Sequence, residues 1–221
     1  MIGSGSSWST SDGQQMLWDA ERTPVTMIAY APFMSEATPD ASLTVNALTN
    51  QSTEENVKSS DFLLMKATVD PEQDLTADGK LKISLNHAMS KLIIKITVNG
   101  TTDASMSKLG DMAINGAVVN ATCDLSAAAP VVVPAADAVV ATVAPYKGTE
   151  SCECILPPQK IAEGFSVNFS YDGKLYIWTA KEAIELEKGV EHTLTLNVNT
   201  TVRLAAKVAR NWATGQLIDR N

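Results

Sequence analysis

LKISLNHAMSKLIIKITV, residues 81–98, alternates between apolar and polar side chains in two runs. The apolar members of each run point to one face, and they are Leu81, Ile83 and Leu85 in the first run and Leu92, Ile94, Ile96 and Val98 in the second. Strict alternation is typical of a strand that is buried on one face. The link Asn86-His87-Ala88-Met89-Ser90 has neither Gly nor Pro, so it predicts a bend or a crossing between sheets rather than a tight hairpin. The stretch therefore predicts a β-sandwich.

Composition and charge restrict the classes of function. The 221 residues suffice for one large or two small domains, and 45% of them are hydrophobic. The net charge of -8 disfavours nucleic acid and anionic membranes as partners, because both require clustered Lys and Arg. No run of about 18 apolar residues encodes a transmembrane helix. Residues 1–7 lack the basic and apolar regions of a signal peptide, so the protein is either cytosolic or begins downstream of an export signal.

The three cysteines leave the redox compartment open. Cys152 and Cys154 lie two residues apart, so in a strand they would share a face at about the limit of disulfide geometry. Cys123 could pair with either of them, and the odd count leaves at least one free thiol. No second Cys-x-Cys pair or nearby His completes a zinc ligand set. Burial as small hydrophobic side chains is the favoured interpretation.

Turn signals divide the first half of the chain into short strands. One strand is predicted over residues 25–31, between Pro24 and Pro32. Three more are expected, and they lie at residues 15–18, at Leu43, Val45 and Ala47 within a polar excursion over residues 35–60, and at residues 62–65, where a short apolar run indicates burial on both sides. Asn99-Gly100 is a turn signal, and a polar stretch follows it. We therefore predict two domains, residues 1–104 and residues 105–221.

The second half shows the same organisation. Asn115-Gly116 between apolar segments predicts a hairpin. Asp172-Gly173 predicts a second hairpin between an alternating strand, residues 165–171, and its return over residues 174–179. Residues 127–145 are rich in Ala, Val and Pro, so edge strands and loops are expected there. The remaining predicted strands are residues 152–156, ended by Pro157-Pro158, residues 194–198, preceded by a turn at residues 187–189, and residues 202–208. The pattern predicts an all-β fold.

The residues suggest little chemistry. His87 and His192 are isolated in sequence, and a hydrogen-bonded structural role is the favoured interpretation for both. The chain has no Gly-x-Ser-x-Gly elbow and no Gly-rich phosphate loop. Asp70, Asp74 and Asp78 recur every fourth residue, whereas a calcium-binding EF-hand loop places its ligands every second residue. We therefore predict no catalytic residue, no cofactor and no metal site.

Two aromatic residues form a candidate ligand surface. Tyr176 and Trp178 alternate with Leu175 and Ile177, so if the aliphatic pair faces the core, the aromatic pair faces outward. Exposed aromatic side chains are a common means of binding carbohydrate. Packing in the core or between domains is the favoured interpretation, and a ligand surface is the alternative.

Six segments, in order, resemble the sequence motifs of the fimbrillin-like proteins, the subunits of type V pili in Bacteroidales-type bacteria. His87-Ala88-Met89-Ser90-Lys91-Leu92 resembles the His-Ala-Leu-Ser/Ala-Lys-Leu signature of that family. The other five are Val25-Thr26-Met27-Ile28-Ala29-Tyr30-Ala31-Pro32, Asp61-Phe62-Leu63-Leu64, Ile155-Leu156-Pro157-Pro158-Gln159, Leu186-Glu187-Lys188-Gly189 with His192-Thr193-Leu194, and Asn211-Trp212-Ala213-Thr214-Gly215.

This resemblance implies two transthyretin-like Greek-key β-sandwich domains and a structural or adhesive role. Family members are lipoprotein precursors that reach the outer membrane, are cut near the N-terminus, and polymerise when a strand of another subunit fills the groove left by a removed first strand. Only 24 residues precede Val25 here and none is Cys, so the N-terminal domain is expected to be truncated and to lack its first strand. Arg22 is the only basic residue before Val25 and is therefore the candidate processing site.

Three functions follow from these observations, in decreasing order of support. The first is a non-enzymatic subunit of bacterial surface fimbriae that joins other subunits by β-strand addition. The second is an adhesin module that binds carbohydrate or a host protein through loops or through the face of Tyr176 and Trp178. The third is a glycosidase, which would require two carboxylates from distant strands to converge in a cleft.

Overall fold

The computed structural model describes residues 18–35, 38, 40–100 and 103–198, and the backbone alone of Thr102 and of three further strands. The elements in chain order are β1 (Ile2–Ser4), β2 (Ser7–Ser9), β3 (Val25–Ala31), β4 (Ser42–Asn46), α1 (Glu54–Ser59), β5 (Leu63–Val69), β6 (Asn86–His87), β7 (Ser90–Val98), β8 (Thr102–Asp103), a 3-10 turn (Met106–Lys108), β9 (Leu109–Val118), β10 (Asn120–Asp124), β11 (Val132–Pro134), β12 (Val140–Val143), β13 (Tyr146–Lys147), β14 (Cys152–Leu156), β15 (Gln159–Ile161), β16 (Ser166–Tyr171), β17 (Lys174–Thr179), β18 (Ile184–Leu186), β19 (Val190–Val198) and β20 (Leu204–Asn211). The predicted all-β class is confirmed.

The largest sheet is built around β7. Its strands follow the order β13-β14-β7-β19-β20, and the short strand β8 also pairs with β7. β14 runs antiparallel to β7, whereas β19 runs parallel to it with Glu191 opposite Lys91. A parallel pair cannot be joined by a tight turn, so this pairing closes a long loop of chain.

Four other sheets complete the part of the chain that the model describes with side chains. Their orders are β12-β9-β16-β17, β11-β10-β4, β3-β5-β6 and β15-β18, and β1 pairs with β2 in the N-terminal backbone. One hydrophobic core cluster draws on all of these four sheets and on the β7 sheet. Its largest fully buried aliphatic side chains include Ile94, Ile114 and Leu196. Each such burial stabilises the fold by about 1.5 to 3 kcal/mol relative to an exposed side chain.

The two alternating runs of residues 81–98 adopt different structures. The second run forms β7, and its apolar face is buried as predicted, with Leu92, Ile94 and Ile96 at most 3% exposed. The strand predicted for the first run is wrong. From Leu81 to Leu85 only Leu81 makes a β-bridge, to Leu75, and the following strand β6 lies instead in the link. The apolar residues of the first run are half-buried, so alternation predicted their direction but not their pairing.

The predicted hairpin at Asn115-Gly116 is also wrong. Both residues lie inside the continuous strand β9. The register of β9 against β12 skips Gly116, because Ala117 lies opposite Ala141 and Asn115 lies opposite Thr142. Gly116 adopts a φ of 97°, and a Cβ atom there would lie 3.1 Å from Cα of Phe165. The Asn-Gly pair therefore marks a β-bulge against a close neighbouring backbone.

The other predicted strands in the described residues are confirmed. They correspond to β3, β4, β5, β14, β16, β17 and β19, and the Ala, Val and Pro-rich segment contributes the edge strands β11 and β12. The turns at Asn99-Gly100 and Asp172-Gly173 have the positive φ angles that such turns require. Residues 15–17 and 212–216 lie outside the described residues, and the last predicted strand is observed as β20.

The sheets do not separate at residue 104. β4 pairs with β10, and β7 pairs with β14 and β19, so strands from both sides of this position share sheets. The division into residues 1–104 and 105–221 stays a prediction about folding units. Two such units would have to share sheets, with strands from each unit paired to strands of the other.

Two glutamine side chains serve as strand partners. Gln51 is fully buried, and its amide both donates to the carbonyl of Ile155 and accepts from the N–H of Ile155, each at 2.8 Å. Gln159 does the same with Val118, each bond at 2.9 Å. An amide side chain thus replaces a neighbouring strand where none pairs. Gln159 is the last residue of the motif segment at residues 155–159, so this motif residue has a structural role here.

Candidate functional site

A cleft of about 300 Å³ opens beside α1, β6, β7 and β14. It is the candidate site because His87 and Lys91, from residues 81–98, lie in its wall. Its lining residues are Glu54, Val57, Lys58, Asp61, His87, Lys91, Tyr146, Glu153 and Ile155. The helix that forms one side, α1, was missed by the sequence interpretation, although Thr53 caps it by accepting a hydrogen bond from the N–H of Asn56.

Asp61 and His87 form a polar pair at the base of the cleft. Oδ2 of Asp61 lies 2.8 Å from Nδ1 of His87. Backbone pairing fixes this contact, because the N–H of Ala88 donates to the carbonyl of Phe62 at 2.8 Å, and His87 lies opposite Leu63. Burial raises the pKa of Asp61, while the neighbouring His87 and Lys91 oppose that rise.

Lys91 and Glu153 form a second polar pair on the adjacent strands β7 and β14. Lys91 lies opposite Ile155, and Glu153 lies opposite Ile93, so the two charged residues are diagonal neighbours on one face. Nζ of Lys91 lies 2.7 Å from Oε2 of Glu153, and both side chains are less than 30% exposed, at 18% and 27%. The alternation that buries Leu92 therefore directs Lys91 into the cleft.

The outer rim of the cleft is held by Glu54 of α1. The hydroxyl of Tyr146 donates to Oε1 of Glu54 at 3.1 Å, which raises the pKa of Tyr146. Lys58 lies 3.8 Å from Oε2 of Glu54 in an exposed pair. An exposed pair of this kind contributes little to stability. The rim is thus a surface contact around the two more buried pairs.

The chemistry of the cleft is that of paired polar groups. Each carboxylate in its wall lies beside a basic or hydroxyl group, and no Ser or Cys side chain among the described residues lines it. In the described ranges, no group of three or more His, Cys, Asp and Glu side chains could hold a metal ion. The contact between Glu54 and Tyr146 connects α1 to the β7 sheet, and the contact between Asp61 and His87 connects the segment after α1 to the link.

Three of the six motif segments contribute residues to this cleft. Asp61 begins the segment at residues 61–64, His87 and Lys91 belong to the signature at residues 87–92, and Ile155 begins the segment at residues 155–159. Sequence reasoning missed both contacts, since their partners lie 26 and 62 residues away. The available signal was Glu153, a charged residue within the otherwise apolar strand β14.

The second histidine, His192, has a structural role. It is 1% exposed, and its Nε2 atom accepts a hydrogen bond of 3.0 Å from the backbone N–H of Glu187. The bond fixes the turn before β19.

Of the two interpretations of Tyr176 and Trp178, the structure shows packing against the core, and the outward orientation is not observed. Trp178 is 7% exposed and meets Phe165 edge-to-face at 6.2 Å, and Tyr176 stacks on Phe169 at 5.4 Å. Residues opposite each other in an antiparallel pair share a face, and Trp178 lies opposite the fully buried Val167. Leu175 and Ile177 instead point outward, at 86% and 67% exposed. A role of the aromatic pair in ligand binding stays a prediction, and little of Trp178 is available for contact.

Arg22 lies in an exposed turn before β3. Its N–H donates to the carbonyl of Asp19 at 3.1 Å, its φ is 54°, and its guanidinium donates to the carbonyl of Pro71 at 3.2 Å. Exposed turns are frequent sites of proteolysis. Its role as a processing site stays a prediction.

The three cysteines are free thiols in the core. Cys123 lies on β10, and Cys152 and Cys154 lie on β14. Burial raises the pKa of all three thiols, and that of Cys152 rises to about 11. They are therefore protonated and unreactive at neutral pH, as expected for small hydrophobic side chains.

The acidic loop after β5 satisfies its own polar groups. Oδ2 of Asp74 accepts from the N–H of Asp70 at 2.7 Å, and Oδ1 of Asp78 accepts from the hydroxyl of Thr76 at 2.6 Å. These carboxylates therefore stabilise the loop backbone. Separately, no helix in the described part of the chain is long and apolar enough to cross a membrane.

Comparisons with known proteins agree with the motifs. The sequence model of the fimbrillin-like family matches residues 1–212. No curated protein sequence matches the chain.

Solved structures share the fold at low sequence identity. A candidate cell adhesion protein of Bacteroides uniformis is 18% identical with a TM-score of 0.69, over 91% of this chain and 78% of that one. A second one, of Bacteroides ovatus, is 15% identical with a TM-score of 0.63, over 100% of this chain and 75% of that one. A fimbrial protein of Bacteroides ovatus is 18% identical with a TM-score of 0.52, over 88% of this chain and 38% of that one.

Proposed function

The chain belongs to the fimbrillin-like family, and from this membership we propose that it is a non-catalytic structural subunit of bacterial surface fimbriae. Its partners are other fimbrial subunits, which it joins by β-strand addition. The cleft supports a role without catalysis, because its polar groups are paired with each other and the bond from Tyr146 to Glu54 connects α1 to the β7 sheet.

The observation that carries strand addition is the open edge of β3. This strand is seven residues long and pairs with β5 on one side, and no described strand pairs with its other side. An unpaired edge presents backbone donors and acceptors that a strand from another subunit can satisfy. The inward side chains Ile28 and Tyr30 pack against the core beside this edge. An added strand would thus extend a surface that is already anchored.

The open edge of β3 thus supports strand addition in this sheet. β5 supports it as well, since β6 pairs only with Leu63 and Leu64 and leaves residues 65–69 without a partner on that side among the described strands. We propose two transthyretin-like sandwiches that share sheets. The strand of another subunit is added next to β3 or β5. The proposal also includes export, lipidation, attachment to the outer membrane and cleavage at Arg22. These steps are proposed from family membership alone.

The alternative function, an adhesin that binds carbohydrate or a host protein, has less support. Its ligand surface was the outward aromatic pair, and Trp178 faces the core. Exposed loops are the remaining candidates for such binding, and no described contact favours one of them.

The experiment that tests the proposal examines fimbriae of the producing bacterium. Fimbriae are sheared from cells and analysed by immunogold labelling and mass spectrometry, and this chain is expected in the filaments. Val25→Lys places a charge on the β3 edge, where Val25 is 43% exposed, and is expected to abolish incorporation. The matched control is Val139→Lys, at a position that is 70% exposed and remote from β3 in sequence, which should be incorporated normally.

The two parts of the proposal fail separately. Filaments that never contain the chain would contradict the fimbrial role. Filaments that incorporate Val25→Lys as well as the wild type would contradict addition at β3 and leave the fimbrial role standing.

A further inference from the structure

A second open edge lies at β17, far in sequence from β3. β17 ends the sheet β12-β9-β16-β17, and no described strand pairs with its outer side. Its outward side chains Leu175 and Ile177 are 86% and 67% exposed. Two large aliphatic side chains on a strand with one open edge form an exposed apolar surface, and exposed apolar surfaces mark interaction sites.

The hairpin register identifies the free backbone groups of β17. The two-residue turn Asp172-Gly173 makes Tyr171 and Lys174 the closing pair, which exchanges both hydrogen bonds. The pattern alternates along an antiparallel ladder, so Lys174, Tyr176 and Trp178 bond to β16. The N–H and C=O groups of Leu175, Ile177 and Thr179 therefore point away from the sheet.

Nothing in β17 blocks the addition of a strand. Natural edge strands are protected by Pro, by bulges or by charged side chains. β17 has none of these between Leu175 and Thr179, and its six-residue register against β16 has no irregularity. The opposite edge of the same sheet is different, because β12 has a register shift beside Gly116 and is followed by Pro145. The unprotected edge of this sheet is β17.

We infer that β17 pairs antiparallel with β17 of a second copy of the chain, on a two-fold axis at Tyr176. In this register Leu175 of one copy lies opposite Ile177 of the other, so four exposed apolar side chains come together on one face. The pairs of Leu175 with Ile177 are also the hydrogen-bonded pairs, because both residues have free backbone groups that point outward. The pairing thus satisfies the edge and covers its apolar surface at once.

Charge favours this occupant, and apolar matching favours this register. Residues 172–182 contain two acidic and two basic side chains, so two copies do not repel each other at this edge although the whole chain carries -8. With the axis at Tyr176, Lys174 lies opposite Trp178 and Asp172 lies opposite Ala180. An axis at Ile177 would place Leu175 opposite Thr179 instead of Ile177, so the four apolar side chains would be less well matched.

The association is expected to be weak and dependent on concentration. Stable interfaces bury at least about 1,200 Å², and one pair of six-residue strands with four apolar side chains is small by that measure. The inference does not rest on the fimbrial role, because it concerns a different edge and a contact between identical chains.

The test combines mass measurement with amide hydrogen exchange on the full chain. Light scattering over a hundredfold range of concentration should show a mass that rises from 23.5 kDa towards twice that value. The amides of Leu175, Ile177 and Thr179 should become protected as concentration rises. Those of Tyr176 and Trp178 should be protected throughout, since they bond to β16.

Ile177→Lys is the variant that separates the outcomes. The side chain is 67% exposed, so the fold should persist, and a charge at the centre of the strand pair should abolish both the mass increase and the protection. Val140→Lys is the matched control at the opposite edge, with 70% exposure, and should dimerise like the wild type. A monomer at every concentration, or a dimer that Ile177→Lys leaves intact, would overturn the inference.

Discussion

The two runs of residues 81–98 alternate equally well in sequence but differ in structure. The second run forms the nine-residue strand β7, with partners on both of its edges. The first run, Leu81 to Leu85, makes one β-bridge, and its apolar side chains are half-buried. Alternation therefore specifies which way side chains point, and partners from elsewhere in the chain decide whether a ladder forms.

The partners of β7 come from distant parts of the sequence. β14 begins at Cys152 and β19 begins at Val190, and both bring apolar side chains to the same core as Ile94. β7 itself contains three isoleucines, which favour strands, whereas the polar positions of the first run are Lys82, Ser84 and Asn86. A run with few β-branched residues and no distant partner remains a half-buried connection.

The largest expected effect separates the two runs by truncation. Ile94→Ala removes a side chain that is 1% exposed and should lower the free energy of unfolding by about 2 to 5 kcal/mol, since it leaves a cavity in the core. Ile83→Ala removes a half-buried side chain and should cost about 1 kcal/mol. Urea unfolding followed by circular dichroism measures both. Equal losses would show that the first run contributes to the core as fully as β7 does.

Local patterns in the sequence predicted most strands and the tight turns. The hairpin at Asp172-Gly173 also contained the information needed to orient Trp178. A two-residue turn pairs Tyr171 with Lys174, and counting outward places Trp178 opposite Val167, on the core face. The error came from orienting β17 by its own alternation, which fits either face, instead of by its partner strand.

Contacts between distant segments could not be predicted. Asn115-Gly116 has the composition of a hairpin turn, and only the position of β12 and the backbone of Phe165 make it a bulge. The cleft depends on Asp61 reaching His87 and on Lys91 reaching Glu153 across separate elements. A single sequence contains no information about which of many charged residues form such pairs.

A second prediction compares two glycines, one near each run. The N–H of Gly189 donates to the carbonyl of Met89 at 2.8 Å, its φ is 65°, and a Cβ atom there would lie 3.1 Å from the carbonyl oxygen of His87. Gly79 has a φ of 75° and no atom within 4 Å of such a Cβ. Both Ala variants should lose about 1 kcal/mol through backbone strain, and Gly189→Ala should lose about 1 kcal/mol more through the clash.

Thermal unfolding of the two glycine variants gives the comparison directly. A lower midpoint for Gly189→Ala than for Gly79→Ala would locate a rigid contact between the turn before β19 and the link before β7. The same midpoint for both would mean that the link moves to accommodate the methyl group, and that the second run is less firmly held than its burial indicates.

The smallest expected effect concerns the link between the runs, where Asp61 meets His87. Burial raises the pKa of Asp61 above its ordinary value, so the folded state binds this proton more tightly than the unfolded state does. The stabilisation that results is complete below the ordinary pKa of about 3.9 and is lost as pH rises through the folded-state pKa. Asp61→Asn cannot titrate, and its amide oxygen can still accept from His87. The free energy of unfolding of Asp61→Asn, relative to the wild type, should therefore increase between pH 3 and pH 6, as measured by urea unfolding at each pH. A relative stability that falls over this range would show that the attraction of His87 and Lys91 for the Asp61 carboxylate outweighs burial. The link would then be stabilised by attraction between charged groups.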